Sequence, residues 1–387
     1  MKTFPLNSRS KTTALKQPKE LFTYYRDIDN QYIYDKETVQ SNASYYYLPD
    51  SDVSKRIDLQ SGYSKFQKIP EEQNLGDFGL LLQGIQRYEE AHDGTKLAVD
   101  VVTFRGLMTK LLCIPYNNRD AVDLNIVAYD GQLFIKADDI IETNRRQDDL
   151  RQKQSQGREQ AEYISKCEYS GYKFEAVATL SKPWAESSRL TIEKRGKKIV
   201  NNYEQYLSVI RTGIGKTKMA LAGEVDCVWD YIPDSPSEVL GHYVELKTSK
   251  VLDGPKQAAT FERKLFKTWA QCFLMGIRKV VYGFRDDQFL LQAVEVFDTE
   301  QIPVMIKNES KINCINALKW YGAVIDWIVS EVPRDDESKA WRVSYDPGSR
   351  LFSLMELMAP DNERLRNGEI LTDEFKAWRE SIKQSQQ

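Results

Sequence analysis

Histidine is almost missing from this chain of 387 residues, which holds only His92 and His242. That scarcity excludes a His-rich zinc centre and most His-dependent acid–base chemistry. The five cysteines, Cys113, Cys167, Cys227, Cys272 and Cys314, are widely separated and form no C-x-x-C pair. They read as reduced, buried thiols of a cytosolic or nuclear protein rather than a disulfide framework. No apolar run approaches the ~20 residues that cross a bilayer, so no membrane span is expected. The N-terminal MKTFPLNSRSKTTALKQPKE has no apolar core and does not read as a signal peptide. No charge of one sign dominates: 54 Lys+Arg stand against 57 Asp+Glu, a net charge of -3. Any contact with nucleic acid must therefore be local. A Pro/Gly-rich linker is absent too, which argues for a single α+β domain over residues 21–387 behind a flexible arm at 1–20.

Aromatics make up 11% of the chain, enough to fill a core or stack bases. Apolar spacing predicts helices at 77–92, 261–276 and 313–332. Val122–Tyr129 and Gln132–Lys136 flank Asp130-Gly131, a two-residue hairpin signal. Residues 142–162 contain one large aliphatic, Leu150, and read as a solvated helix or a mobile connection. Gly171 is expected to open a helix through Leu180. Strands are expected at 206–212, 219–230 and 242–248, with a hairpin at 280–296 around Asp286-Asp287. The catalytic core is expected within about 100–300 of the chain.

Two triplets stand out, Glu224-Val225-Asp226 and Glu245-Leu246-Lys247. On a strand, residues i and i+2 share a side. Glu224 and Asp226 then share one face, and Glu245 and Lys247 share another. If the two strands are neighbours, three carboxylates and an ammonium converge. Either triplet alone is usually the wet face of an antiparallel sheet. Together they form the pattern of metal-dependent phosphodiester cleavage on a PD-(D/E)xK-type core. Clustered carboxylates raise one another's pKa unless a cation neutralises them. All-oxygen ligands suit a hard ion, Mg2+ or Mn2+, which activates water and stabilises charge developing at phosphorus. Lys247 can hold a phosphate oxygen or the nucleophilic water as a point charge.

Glu175, the one acid on an apolar helical segment, is a candidate fourth carboxylate for a site holding two ions. Lys264, Lys267, Thr268 and Gln271 form a polar stripe on the helix 261–276, able to meet phosphates or simply solvated. Arg105 could grip a phosphate. The run Glu193-Lys194-Arg195-Gly196-Lys197-Lys198 could bind a nucleic-acid backbone, though most charge runs are soluble surface. Gly215-Lys216-Thr217 is no P-loop, because Ile210 stands where the motif needs glycine. His242 is expected to be structural.

As an ordered set, Thr103-Phe104-Arg105-Gly106, Gly171-Tyr172-Lys173-Phe174-Glu175, Glu224-Val225-Asp226, Glu245-Leu246-Lys247 and Trp269-Ala270-Gln271 resemble the DXO family of RNA 5′-end decapping nucleases. TTALKQPKE, YYYLPD, GQLFIK, FERKLFKTW and QCFLMGI resemble its fungal nuclear branch. The resemblance implies an α+β fold of two mixed β-sheets flanked by helices, with a central cleft. It implies that Glu175, Asp226, Glu245 and the Leu246 carbonyl ligate divalent ions, with Glu224 acting through water. Lys247 and Gln271 would hold the scissile phosphate or the water, and Arg105 an RNA phosphate. The implied reaction removes a 5′-triphosphate, an unmethylated guanosine cap or an NAD cap and leaves a 5′-monophosphate. The implied partner is the nuclear 5′→3′ exoribonuclease of the XRN class, which makes the expected location nuclear. Two alternatives stay open at this point: a non-catalytic stabiliser of that exoribonuclease, and a DNA nuclease on the same core.

Overall fold

The computed structural model describes residues 2–70, 73–74, 76–306 and 311–385. Two mixed sheets dominate it. The larger has ten strands in the order Lys2–Pro5, Leu351–Leu357, Ala340–Asp346, Val122–Tyr129, Gln132–Ala137, Val101–Phe104, Thr217–Glu224, Gln205–Ile214, Leu15–Arg26 and Tyr32–Ile33. The smaller has six, in the order Leu291–Asp298, Lys279–Arg285, Tyr243–Lys250, Cys227–Val228, Tyr45–Tyr46 and Thr179–Leu180. Parallel pairs lie at the centre of each: Thr217–Glu224 beside Val101–Phe104, and Tyr243–Lys250 beside Lys279–Arg285.

The period of two along the strands decides which helices cover each face. In the large sheet Val101, Ile210, Met219 and Leu221 pack inward with the helices Arg105–Cys113, Pro255–Met275 and Cys314–Glu331. Their neighbours Val102, Val209, Ala220 and Ala222 pack on the other face with the helices Phe78–Glu90 and Asp373–Ser385. In the small sheet Val244, Leu246 and Val281 lie under Phe174 and Val177 of the helix Arg158–Val177. Tyr243, Val280 and Tyr282 belong instead to the central core, with Phe261 and Leu265. The expected α+β class, with two mixed sheets and flanking helices, is the class observed.

Local chemistry explains the element ends. The Asp77 side chain accepts from the Leu80 N–H, and Asn313 caps its helix by accepting from Asn316 N–H. Pro255 opens and Gly276, in the left-handed region, closes the long helix Pro255–Met275. Asp130 and Gly131 both have positive φ, 49° and 72°, as a two-residue hairpin turn requires.

Several expectations change. The flexible arm at 1–20 is not free: Lys2–Pro5 pairs with Leu351–Leu357, and Leu15–Arg26 pairs with Gln205–Ile214. Its polar composition hid an edge strand and a strand in which Pro18 alone is buried before Thr23. Gly171 opens nothing, because it lies inside the helix Arg158–Val177, and the following Thr179–Leu180 is a short strand. Of the two readings for the solvated stretch around Leu150, the helix is the one observed, Asp139–Ser155, started by Asp138 accepting from the Ile141 N–H. Val101–Phe104 leads into the helix Arg105–Cys113 and not directly into a hairpin. Thr268 leaves the expected polar stripe, since it is buried and shares a hydrogen bond of 2.7 Å with the Tyr282 hydroxyl. Gly215 turns the hairpin between Gln205–Ile214 and Thr217–Glu224.

Candidate active site

The expected strand 219–230 does not exist as one strand. Thr217–Glu224 ends in the large sheet, and Cys227–Val228 belongs to the small one. Glu224 and Asp226 therefore do not share one face of one strand, and Glu224 and Glu245 do not stand on neighbouring strands. Val225-Asp226 is the step by which the chain passes from one sheet to the other. That step is pinned twice: the Val225 N–H donates to the Tyr206 carbonyl at 2.9 Å, and the Leu246 N–H donates to Asp226 Oδ2 at 2.6 Å. Cys227 and Val228 then pair with Val244 and Tyr243. The two triplets meet because the sheets meet there.

The second triplet behaves as its spacing predicts. Lys247 Nζ lies 2.5 Å from Glu245 Oε1 and 4.0 Å from Asp226 Oδ2. Leu246 packs on the opposite side, beneath the helix that ends just after Glu175. Arg105, at the first turn of its helix, reaches Glu245 Oε2 at 3.1 Å from the other side. Its approach needs a missing side chain: a Cβ on Gly223 would sit 3.1 Å from the Arg105 Cβ and 3.2 Å from its Nε. The Arg105 Nε is buried and without a hydrogen bond.

Electrostatics divides the acids. Burial would push Glu245 up, but Lys247 and Arg105 overcome it and hold the carboxyl down at about 2. Asp226 is pushed up to about 7 by burial and by Glu245. Glu175 is raised well above the ordinary carboxylate range by burial, Asp226 and Glu224. Glu224 is raised by burial, with Arg105 working against it. Burial would lower the Lys247 pKa, yet Glu245 and Asp226 hold it well above the usual lysine value. Each acid feels the others, so Glu175, Glu224, Asp226 and Glu245 form one cluster in which Arg105 and Lys247 are the nearest cations.

Three of the four acids floor a cavity of about 450 Å3, and Glu245 stays out of its lining. Glu175, Glu224 and Asp226 line it, with Tyr172 and Tyr206 beside them and Lys194 and Lys198 farther out. Gln271 is half-buried, one residue before Cys272, whose thiol is pushed up by burial and then by Glu245. Its turn of helix thus borders the cluster, although none of the described residues hydrogen bonds to its amide. His242 stays outside, with Nδ1 2.5 Å from Asp230 Oδ1. Sequence reasoning missed Gly223, Tyr172 and Tyr206. Only Gly223 carried a signal, a glycine inside a β-prone run.

Among the described residues no group of three or more His, Cys, Asp or Glu side chains is drawn in tightly enough to cage an ion. Glu245 is turned instead to its two cations. The donor set nonetheless fits a hard divalent ion. All the side-chain donors are oxygens, four acids face two cations, and three of the acids are pushed up by burial and then by neighbouring carboxylates.

Comparison with known proteins agrees with this geometry. The family model described as RAI1-like PD-(D/E)XK nuclease matches residues 16–376. Decapping nuclease RAI1 of Scheffersomyces stipitis is 61% identical over 393 residues, covering 99% of this chain and 99% of that protein. The crystal structure of Candida albicans Rai1 in complex with pU5 and Mn2+ is similar with a TM-score of 0.96 and 56% identity, covering 98% of this chain and 99% of that one. That of Scheffersomyces stipitis Rai1 with (3′-NADP)+ and a calcium ion gives 0.95 and 61%, covering 98% and 100%. The chain belongs to the RAI1-like PD-(D/E)XK nuclease family.

Proposed function

We propose that this protein is a divalent-metal-dependent decapping hydrolase of RNA 5′ ends. Its substrates are a 5′-triphosphate, an unmethylated guanosine cap or an NAD cap, and its product is a 5′-monophosphate RNA. The observation that carries the reading is the buried cluster at the cavity floor, in which four carboxylates outnumber Arg105 and Lys247 and three are pushed up by burial and by neighbouring carboxylates. Relatives named decapping nuclease, and similar structures holding pU5 with Mn2+ or (3′-NADP)+ with calcium, support RNA and a divalent metal as what this site binds.

Glu175, Asp226, Glu245 and the Leu246 carbonyl are the residues that would hold Mg2+ or Mn2+, with Glu224 acting through water. Once bound, such ions supply countercharge and an activated water. The protein's own residues do the rest. Asp226 is fixed by the Leu246 N–H, so its remaining oxygen has a set direction. Lys247 stays protonated and offers a point charge to a phosphate oxygen. Arg105 holds Glu245 from behind in this structure, which makes orientation of that carboxylate its first role. Contact with an RNA phosphate would require the Arg105 guanidinium to share itself. Gln271, on the bordering helix, would hold the water or the phosphate. No histidine is needed.

The 5′-monophosphate is the end that a 5′→3′ exoribonuclease consumes, so the proposed partner is the nuclear XRN-class enzyme and the proposed location is the nucleus. The test uses RNA carrying each of the three 5′ ends, with Mn2+ or Mg2+, for wild type and Asp226→Ala. Wild type releases pyrophosphate or an intact cap dinucleotide, and the variant does not. Release at the same rate by Asp226→Ala would remove the site assignment. No release from any end by wild type would remove the activity.

A further inference from the structure

Residues 181–199 form a lip on the cavity, and Ser181, Thr191, Lys194, Lys198 and Ile199 line it. The lip also exposes large apolar side chains that a solvated loop has no need to show. Trp184 is 61% exposed, Leu190 59% and Ile199 49%. Among the described residues Lys182, Lys194 and Lys197 have no carboxylate within ion-pair distance. Nearby Arg189 and Lys198 are paired, with Glu193 at 2.7 Å and Glu204 at 3.3 Å.

The lip is also held rigidly. Lys173 is buried, and its ammonium donates to the Gly196 carbonyl at 2.7 Å. Arg195 donates to the Val177 carbonyl at 2.8 Å and the Ile192 carbonyl at 2.7 Å, pairs with Asp52, and lies over the Tyr47 ring. So Arg195, from the expected backbone-binding run, is spent on architecture. Lys182, Lys194 and Lys197 keep no carboxylate partner among the described residues, whereas Lys198 pairs with Glu204. Lys173 and Val177 belong to the helix that carries Glu175, so the lip is tied directly to a carboxylate of the floor.

We infer that this lip is a binding surface for the single-stranded body of the RNA, with Trp184 as a base-stacking platform and Lys182 and Lys194 as phosphate contacts. The inference rests on the function proposed above and specifies how the same site engages substrate beyond its 5′ group. An exposed indole beside free ammonium groups is the combination that holds single strands without reading sequence. The surface continues into the cavity floor through Thr191 and Lys194, which fixes the occupant as the strand whose end reaches the acids. A rigid platform also loses little entropy on binding.

The test compares a twenty-nucleotide 5′-triphosphate RNA with a 5′-triphosphate dinucleotide. Trp184→Ala raises KM for the long RNA roughly tenfold, as loss of one stacked base predicts, and leaves kcat and the dinucleotide KM unchanged. The double variant Lys182→Ala/Lys194→Ala also weakens long-RNA binding and flattens its dependence on salt. An unchanged long-RNA KM in Trp184→Ala overturns the inference. So does an equal rise for both lengths, which would place Trp184 in the 5′-end pocket. A second arm measures binding of the long RNA, labelled at its 3′ end, by anisotropy in EDTA. If wild type cleaves nothing with Mn2+ or Mg2+ yet binds in EDTA, and Trp184→Ala binds more weakly, the lip stands while the proposed reaction falls. If binding is equal in the two proteins, the lip falls whatever the enzyme does.

Discussion

Two clusters of buried charge sit on opposite faces of the large sheet, and they are built by opposite rules. Behind the sheet, Glu89 is fully buried and fully answered. Its oxygens accept from Arg379 Nε at 2.9 Å and Nη2 at 2.7 Å, from the Trp378 indole at 2.9 Å and from the Leu97 N–H at 2.8 Å. Arg379 goes on to Asp130 at 2.9 Å and Gln132 at 3.0 Å. Burial would raise the Asp130 pKa, but Lys383 and Arg379 bring it below the ordinary aspartate value. In the cavity floor the acids outnumber the cations, and Glu175, Glu224 and Asp226 are raised. Matched charge locks the helix Asp373–Ser385 to the helix Phe78–Glu90. Unmatched charge makes a place for something absent from the chain. The balance of a buried cluster, more than its burial, separates architecture from chemistry.

The comparison can be broken in several ways. The largest expected effect is on turnover. Asp226→Ala lowers kcat on 5′-triphosphate RNA by roughly two to three orders of magnitude while leaving folding intact. A variant that lost its fold instead would show the floor to be architectural. Next comes Arg379→Met, which leaves Glu89 buried without its cation and costs about 3–5 kcal/mol in urea unfolding. Its kcat in the folded range should match wild type. A loss under 1 kcal/mol, measured the same way, would make the two clusters equivalent.

A smaller effect distinguishes them by metal. Mn2+ at a hundredfold excess over its Kd stabilises wild type by about 2.7 kcal/mol. Glu175→Gln/Asp226→Asn should lose that gain, whereas Arg379→Met should keep it. Acid separates the clusters further. Asp226 has its folded pKa raised from 3.8 to about 7. Its contribution is present in full below the unfolded value and is lost as pH rises through the folded one. Without metal, stability should therefore fall by about 1–3 kcal/mol between pH 4 and 7, and Asp226→Asn should flatten the slope. Asp130, lowered in the fold, works in the opposite sense and loses its contribution as acid is added. Chemical denaturation across pH, with and without EDTA, checks both. The smallest effect is at the rim of the matched cluster. Lys383 is half-exposed, so Lys383→Ala should change stability by less than about 1 kcal/mol.

Much of the site was legible because its residues are short-range neighbours. The i, i+2 spacing placed Glu245 beside Lys247, and the Asp130-Gly131 turn and the helix 313–332 follow local rules. What could not be read was the passage at Val225-Asp226. Strand periodicity looks the same whether a chain continues in one sheet or changes to another. Only the long-range pairing of Cys227–Val228 with Val244 and Tyr243 decides. Leu15–Arg26 escaped for a related reason, since its first half is polar and partly exposed and declares itself only through pairing. Gly171 misled because a glycine inside a helix looks locally like a boundary.

The crossing at Val225-Asp226 also sets when in the life of the chain reactivity can appear. A chain synthesised only as far as Val244 already holds Glu175, Glu224 and Asp226, but it has neither the Leu246 N–H that orients Asp226 nor Glu245 and Lys247. The large sheet is not closed until Ala340–Asp346 and Leu351–Leu357 have joined it and received Lys2–Pro5. A chain that stops short of Lys247 thus holds acids of the cluster without the amide and the ammonium that order them.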